Sequence, residues 1–142
     1  FLGHRLAQGK IPTMQVGLRG MAEIEIQTLS TGNANFHTAR RIAQRDPTSV
    51  AADLLRSLPE SIYITLDLSV IDSVVMPSVE LPLPFGLQPE FVTTVLRFLI
   101  ASRRVVGMDV CGLAPISGNP APNALAAAIL NRMLASYAKK LI

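Results

Sequence analysis

The sequence predicts an α/β protein built on a parallel sheet. Short apolar runs bounded by turn residues alternate with longer segments of helical period, the order of βαβ units. The runs read as nearly continuous apolar stretches, the pattern of strands covered on both faces. With 49% hydrophobic and only 16% charged residues, the 142-residue chain has the material for one sizeable core. Residues 1–142 are accordingly read as a single segment.

The elements follow in order. Met14 to Leu18 (MQVGL) is a brief strand closed by Arg19-Gly20, and a weaker strand runs through Asn35 to Thr38. Asp46-Pro47 sets an N-cap ahead of a proline at the first helical position, and Val50, Ala51, Leu54, Leu55 and Leu58 then recur at helical spacing until Pro59. Ser61 to Asp67 (SIYITLD) is the strongest strand, rich in β-branched residues. From Asp67 to Gln88 the chain carries three prolines and no period, so it reads as a long connection. Connections of that length are usually functional, and this one leaves the carboxyl end of a strand, where open parallel sheets hold ligands. Gln88 to Ala101 is a second helix, Val105 to Val110 (VVGMDV) another strand, and Asn123 caps a closing helix whose Lys139 and Lys140 suit its negative end.

Composition excludes several classes. The single cysteine, Cys111, cannot form an internal disulfide or a four-thiolate zinc module, so the chain reads as intracellular, in the cytoplasm or the mitochondrial matrix. The uncharged stretch from Val110 to Asn131 is broken by Pro115, Pro120 and Pro122, which argues against a membrane span. Thirteen Lys and Arg against ten Asp and Glu give a small positive balance, but the basic pairs are scattered and tryptophan is absent. Nucleic-acid binding is therefore not expected. Because the sequence opens on Phe1 without a signal-like run, it is expected to begin inside a longer gene product.

Two carboxylates stand at neighbouring strand ends, Asp67 and Asp109, with Asp72 following the first. They suit either a hard-cation site or the capping of irregular loops, and with no histidine beside them composition favours capping. His4 and His37 are isolated and read as surface or packing residues. Cys111 reads as a small buried hydrophobe.

At these residues the chain resembles the ureohydrolases, the arginase, agmatinase and formimidoylglutamase group. TLDLSVIDSVVMP (Thr65 to Pro77) is similar to the family's strand ending in Asp-x-Asp with a later Asp-Pro. VVGMDVCGLAP (Val105 to Pro115), MQVGLRG (Met14 to Gly20) and the closing ALAAAILNRML are similar to three further family segments, in the same order. The resemblance implies a three-layer α/β/α fold with a parallel sheet, of which this chain is the carboxyl-terminal half. It implies hydrolysis of a guanidino or amidino carbon by hydroxide held between two Mn²⁺ ions.

Carried over residue by residue, the resemblance makes Asp67 the one remaining metal ligand. Ser69 stands where the family has a second ligating aspartate, and Gly112 where it has a glutamate facing the guanidino group. Asp72 and Asp109 match aspartates that support the site without touching metal. The family's other ligand motifs, a histidine motif and Asp-Ala-His-x-Asp, do not occur ahead of Met14. The leading expectation is a ureohydrolase-like segment that is not catalytic as it stands, a pseudoenzyme portion or structural subunit. The alternative is part of an active manganese amidinohydrolase whose remaining ligands lie elsewhere, and a third reading is a plain assembly module. All three expect a homo-oligomer or a complex with a larger subunit.

Overall fold

The computed structural model describes residues 12–20 and 34–141. Among the described residues there are four strands: β1 (Thr13–Leu18), β2 (Ala34–Thr38), β3 (Ser61–Asp67) and β4 (Arg104–Cys111). β1 pairs with β2 and β3 with β4, both parallel, in two separate two-stranded sheets. The helices are α1 (Ala39–Ile42), α2 (Pro47–Ser57), α3 (Pro89–Ser102) and α4 (Ala121–Leu141). His4 lies outside the described residues.

Local chemistry explains the helix boundaries. The Asp46 carboxylate accepts from the Ser49 N–H at 2.8 Å, capping α2 behind Pro47 as its sequence demands. α2 buries Val50, Ala51 and Leu54, and α3 buries Phe91, Val92, Val95, Leu96, Leu99 and Ile100. Cations close both helices: Arg103 donates to the carbonyls of Leu55 and Leu58, and Lys140 of α4 donates to Ile100 O at 3.1 Å and to Arg103 O. These bonds fasten α2, α3 and α4 together. α1 has no counterpart in the sequence reading, being a single turn with too few residues to display a period.

α4 begins at Ala121, ahead of the expected cap. Pro122 occupies its first turn, the Ala124 N–H donates to Pro120 O at 3.0 Å, and Asn123 lies inside the helix. Its Oδ1 is buried without a hydrogen-bond partner, so Asn123 is not the N-cap.

Strand cover also differs from expectation. In β3, Ile62, Ile64 and Leu66 are buried while Ser61, Tyr63, Thr65 and Asp67 are exposed, a strict alternation. The buried side joins one core with the apolar faces of α2, α3 and α4. Among the described residues no layer covers the other side. β4 carries a bulge there: Ile62 faces Val105 but Tyr63 faces Gly107, leaving Val106 as the extra, exposed residue. The bulge sets which side chains of β4 share the open face with β3. Beyond it, Gly107, Asp109 and Cys111 stand opposite Tyr63, Thr65 and Asp67.

Candidate functional site

The carboxyl ends of β3 and β4 gather the residues that carried the sequence argument. β3 stops at Asp67, whose side chain accepts from the Ser69 N–H at 2.8 Å and so caps the short 3₁₀ turn Leu68–Val70. The backbone of Gly112 lies directly against this carboxylate. Gly112 has φ +84°, and a Cβ placed on it would stand 2.5 Å from Asp67 Oδ1. Any side chain at position 112 must therefore displace the Asp67 carboxylate, and the strained backbone adds to the cost. Asp67, Ser69 and Gly112 form one unit, in which the carboxylate serves the loop.

Asp109 stands one pair back along the sheet. Thr65 Oγ1 donates to its Oδ2 at 3.1 Å, and the Asp109 carboxylate, with burial, raises the Tyr63 phenol above its ordinary pKa. Asp109 therefore accepts from the Thr65 hydroxyl of the open face rather than from loop backbone. Cys111, opposite Asp67, is exposed rather than buried, because the bulge in β4 delivers it to the open face. Partial burial, then the charges of Asp67 and Asp109, push its thiol upward, so it is protonated and a poor nucleophile at neutral pH.

Asp72 lies apart from these, in the long connection. Its carboxylate accepts from the N–H groups of Val74 and Gly86, both at 2.9 Å, and its own N–H donates to Leu87 O at 3.0 Å. Those bonds clamp the two ends of the connection together, with Ile71 and Leu87 forming a parallel bridge. The Val74 N–H, then the Gly86 N–H, hold the Asp72 carboxyl below its usual range. Arg19, at the end of β1, donates to Leu83 O at 2.6 Å and to Ser69 O. Burial lowers its pKa and the charges of Asp72 and Asp67 oppose that.

Arg19, Tyr63 and Thr65 were not among the residues singled out from sequence. The alternation in SIYITLD, which sets Tyr63, Thr65 and Asp67 on one face, was the available signal for the last two. His37 on β2 pairs with Val16 of β1; burial, then Arg41 and Arg45, lowers its pKa.

What this arrangement can do chemically is limited. Among the described residues, no group of three His, Cys, Asp or Glu side chains converges as a metal site requires. A cleft of about 870 Å³ opens at the carboxyl ends of β1 and β2 and is lined by Arg19, Arg40 and Asp72, but not by Asp67 or Asp109. No described helix is long and apolar enough to cross a membrane.

Comparison with known proteins identifies what the scaffold is similar to. The Arginase family model matches residues 3–135. N(1)-aminopropylagmatine ureohydrolase of Thermus thermophilus is 34% identical over 112 residues, covering 79% of this chain and 38% of the relative. Formimidoylglutamase of a Geobacillus species is 31% identical over 135 residues, covering 85% of this chain and 41% of the relative. The chain thus spans about two fifths of the length of these curated relatives. Among solved structures, the agmatine ureohydrolase of Thermoplasma volcanium superimposes with a TM-score of 0.78 at 24% identity, over 89% of this chain and 42% of that one. The Helicobacter pylori arginase gives 0.77 at 20% identity, over 87% and 43%. At these identities the superpositions establish an arginase-like fold.

Proposed function

This chain belongs to the arginase family, and from that premise we propose that it is a ureohydrolase-type segment that does not hydrolyse guanidino or amidino substrates through its own residues. The observation that carries this reading is the coupling of Asp67 to its neighbours. Its carboxylate caps the turn at Ser69 and fills the space that a side chain at Gly112 would need. Both departures from the family pattern thus act together. A serine at 69 and a glycine at 112 remove two carboxylates, and the remaining one is engaged by backbone.

Manganese, which the resemblance implies, does not fit the described residues. A hard divalent cation wants several anionic oxygen donors, and Asp67 is not joined by two further His, Cys, Asp or Glu groups among them. No reaction step is assigned to this chain on that account. Its role in this reading is structural, as a pseudoenzyme portion or a subunit within a larger assembly or homo-oligomer.

Urea release tests the proposal. The purified chain is assayed with agmatine and with arginine in excess Mn²⁺, alone and after co-expression with the amino-terminal portion of the Thermus relative. Absence of turnover under both conditions is expected. Turnover that depends on added manganese and disappears in Asp67→Ala would overturn the reading, and turnover only in the co-expressed sample would establish the alternative, a segment that completes an active amidinohydrolase.

A further inference from the structure

We infer that the cleft at the carboxyl ends of β1 and β2 binds a small organic anion, a flat apolar body that carries one carboxylate or phosphate group. Its volume of about 870 Å³ falls within the range of small-molecule sites. Its walls are largely apolar, with Leu18 at the end of β1, Ala43 behind α1, and Leu83, Pro84 and Phe85 from the long connection. The inference is independent of the metal question, since neither Asp67 nor Asp109 lines this cleft.

The sign of the ligand follows from the charged side chains of the wall. Arg19 is engaged by the carbonyls of Leu83 and Ser69, and the Asp72 carboxylate by the N–H groups of Val74 and Gly86. Gly86 lets these groups close up beneath the cleft: a Cβ on it would stand 2.6 Å from Arg19 Nη1 and nearer still to the backbone nitrogen of Asp72. The Arg40 guanidinium, by contrast, has no ion pair or hydrogen bond among the described residues. A planar guanidinium left uncommitted at the wall of a cleft is suited to take a carboxylate or phosphate through two parallel bonds. A cationic ligand would meet two arginines there, with the Asp72 carboxylate already turned to backbone.

The flat apolar body follows from Phe85. Among the described residues it is the one non-glycine with positive φ, at +61°, and it is 84% exposed where it lines the cleft. Left-handed backbone is strained for a bulky residue, and an aromatic ring gains nothing from facing water. A flat body laid against the ring removes it from water and gives the strained position a use.

Fluorine NMR of the full chain tests this with para-fluorobenzoate, para-fluorophenyl phosphate and the neutral para-fluorobenzamide. At least one anion is expected to bind with Kd of about 1 mM or tighter and the amide about tenfold more weakly, the tighter anion showing which group the site takes. Arg40→Gln is expected to reduce the anions to the affinity of the amide. Phe85→Gly should weaken all three probes about tenfold yet leave the thermal midpoint of the free chain unchanged or raised, because glycine accepts positive φ without strain. A ring kept for packing would lower the midpoint when removed. Arg132→Gln, on α4 and outside the cleft lining, is expected to bind all three probes as the parent does. Failure of both anions to bind, equal binding of anions and amide, anion affinity unmoved by Arg40→Gln, or a lowered midpoint in Phe85→Gly would each overturn the inference.

Discussion

At the carboxyl end of β3, the Asp67 carboxylate and the missing side chain of Gly112 share one small volume. Gly112→Ala is expected to destabilise the chain by about 1–3 kcal/mol, from positive φ and the clash together. In an Asp67→Ala background the penalty should fall by about 1 kcal/mol, since only the backbone strain remains. Urea denaturation of the four proteins in the cycle measures this, and additive losses would mean that the two positions do not touch. Asp72 has a different signature. Its folded-state pKa is depressed, so its contribution is present above the unfolded value of about 4 and is lost as pH falls through the lower folded value. Asp72→Asn should therefore lose less stability than the parent on acidification below about pH 4. Asp46 and Asp53, also depressed, keep part of the acid slope in both proteins. Identical acid limbs would contradict the clamp. Asp67 was legible as a carboxylate at a strand end, whereas Ser69 and Gly112 stand out only through the resemblance to the family's segments. Capping of the following loop by Asp67 is the reading that composition favours, and the Ser69 N–H bond agrees with it; the close approach of Gly112 was not legible, because it depends on the fold.

Among the elements, the long apolar runs and the Asp46-Pro47 start were readable because burial and capping leave local marks. Features set by contacts distant in sequence were not. The bulge of Val106 and Gly107 decides that Asp109 and Cys111 face outward; Gly107 is its one local mark, and a glycine in a strand does not say which residue is the extra one. Asn123 misled for a related reason: a cap-forming residue next to an apolar run resembles a helix start, while the prolines ahead of it already begin the turn. Replacing a true N-cap by alanine costs about 0.5–2 kcal/mol. Asn123→Ala should change stability by less than about 0.5 kcal/mol, because its carbonyl oxygen has no partner to lose. Thermal and urea midpoints check this, and a loss within the capping range would restore the cap.

For the whole molecule, the parallel α/β class was legible from the order of runs and helices, and the open side of β3–β4 was not. SIYITLD does alternate, but Tyr63 and Thr65 belong to the residue types that also fill sheet interiors, so the run reads as covered on both sides. The molecule that results has an arginase-like scaffold in which the Asp67 carboxylate accepts from the Ser69 N–H. On the proposed reading, Asp67 holds no metal ion. Calorimetric titration of the full chain with Mn²⁺, beside Asp67→Ala, tests that claim most directly. The expected result is weak, non-saturating binding that is the same in both proteins, as for surface carboxylates. A stoichiometric site of about micromolar affinity or tighter, abolished by Asp67→Ala, would contradict it.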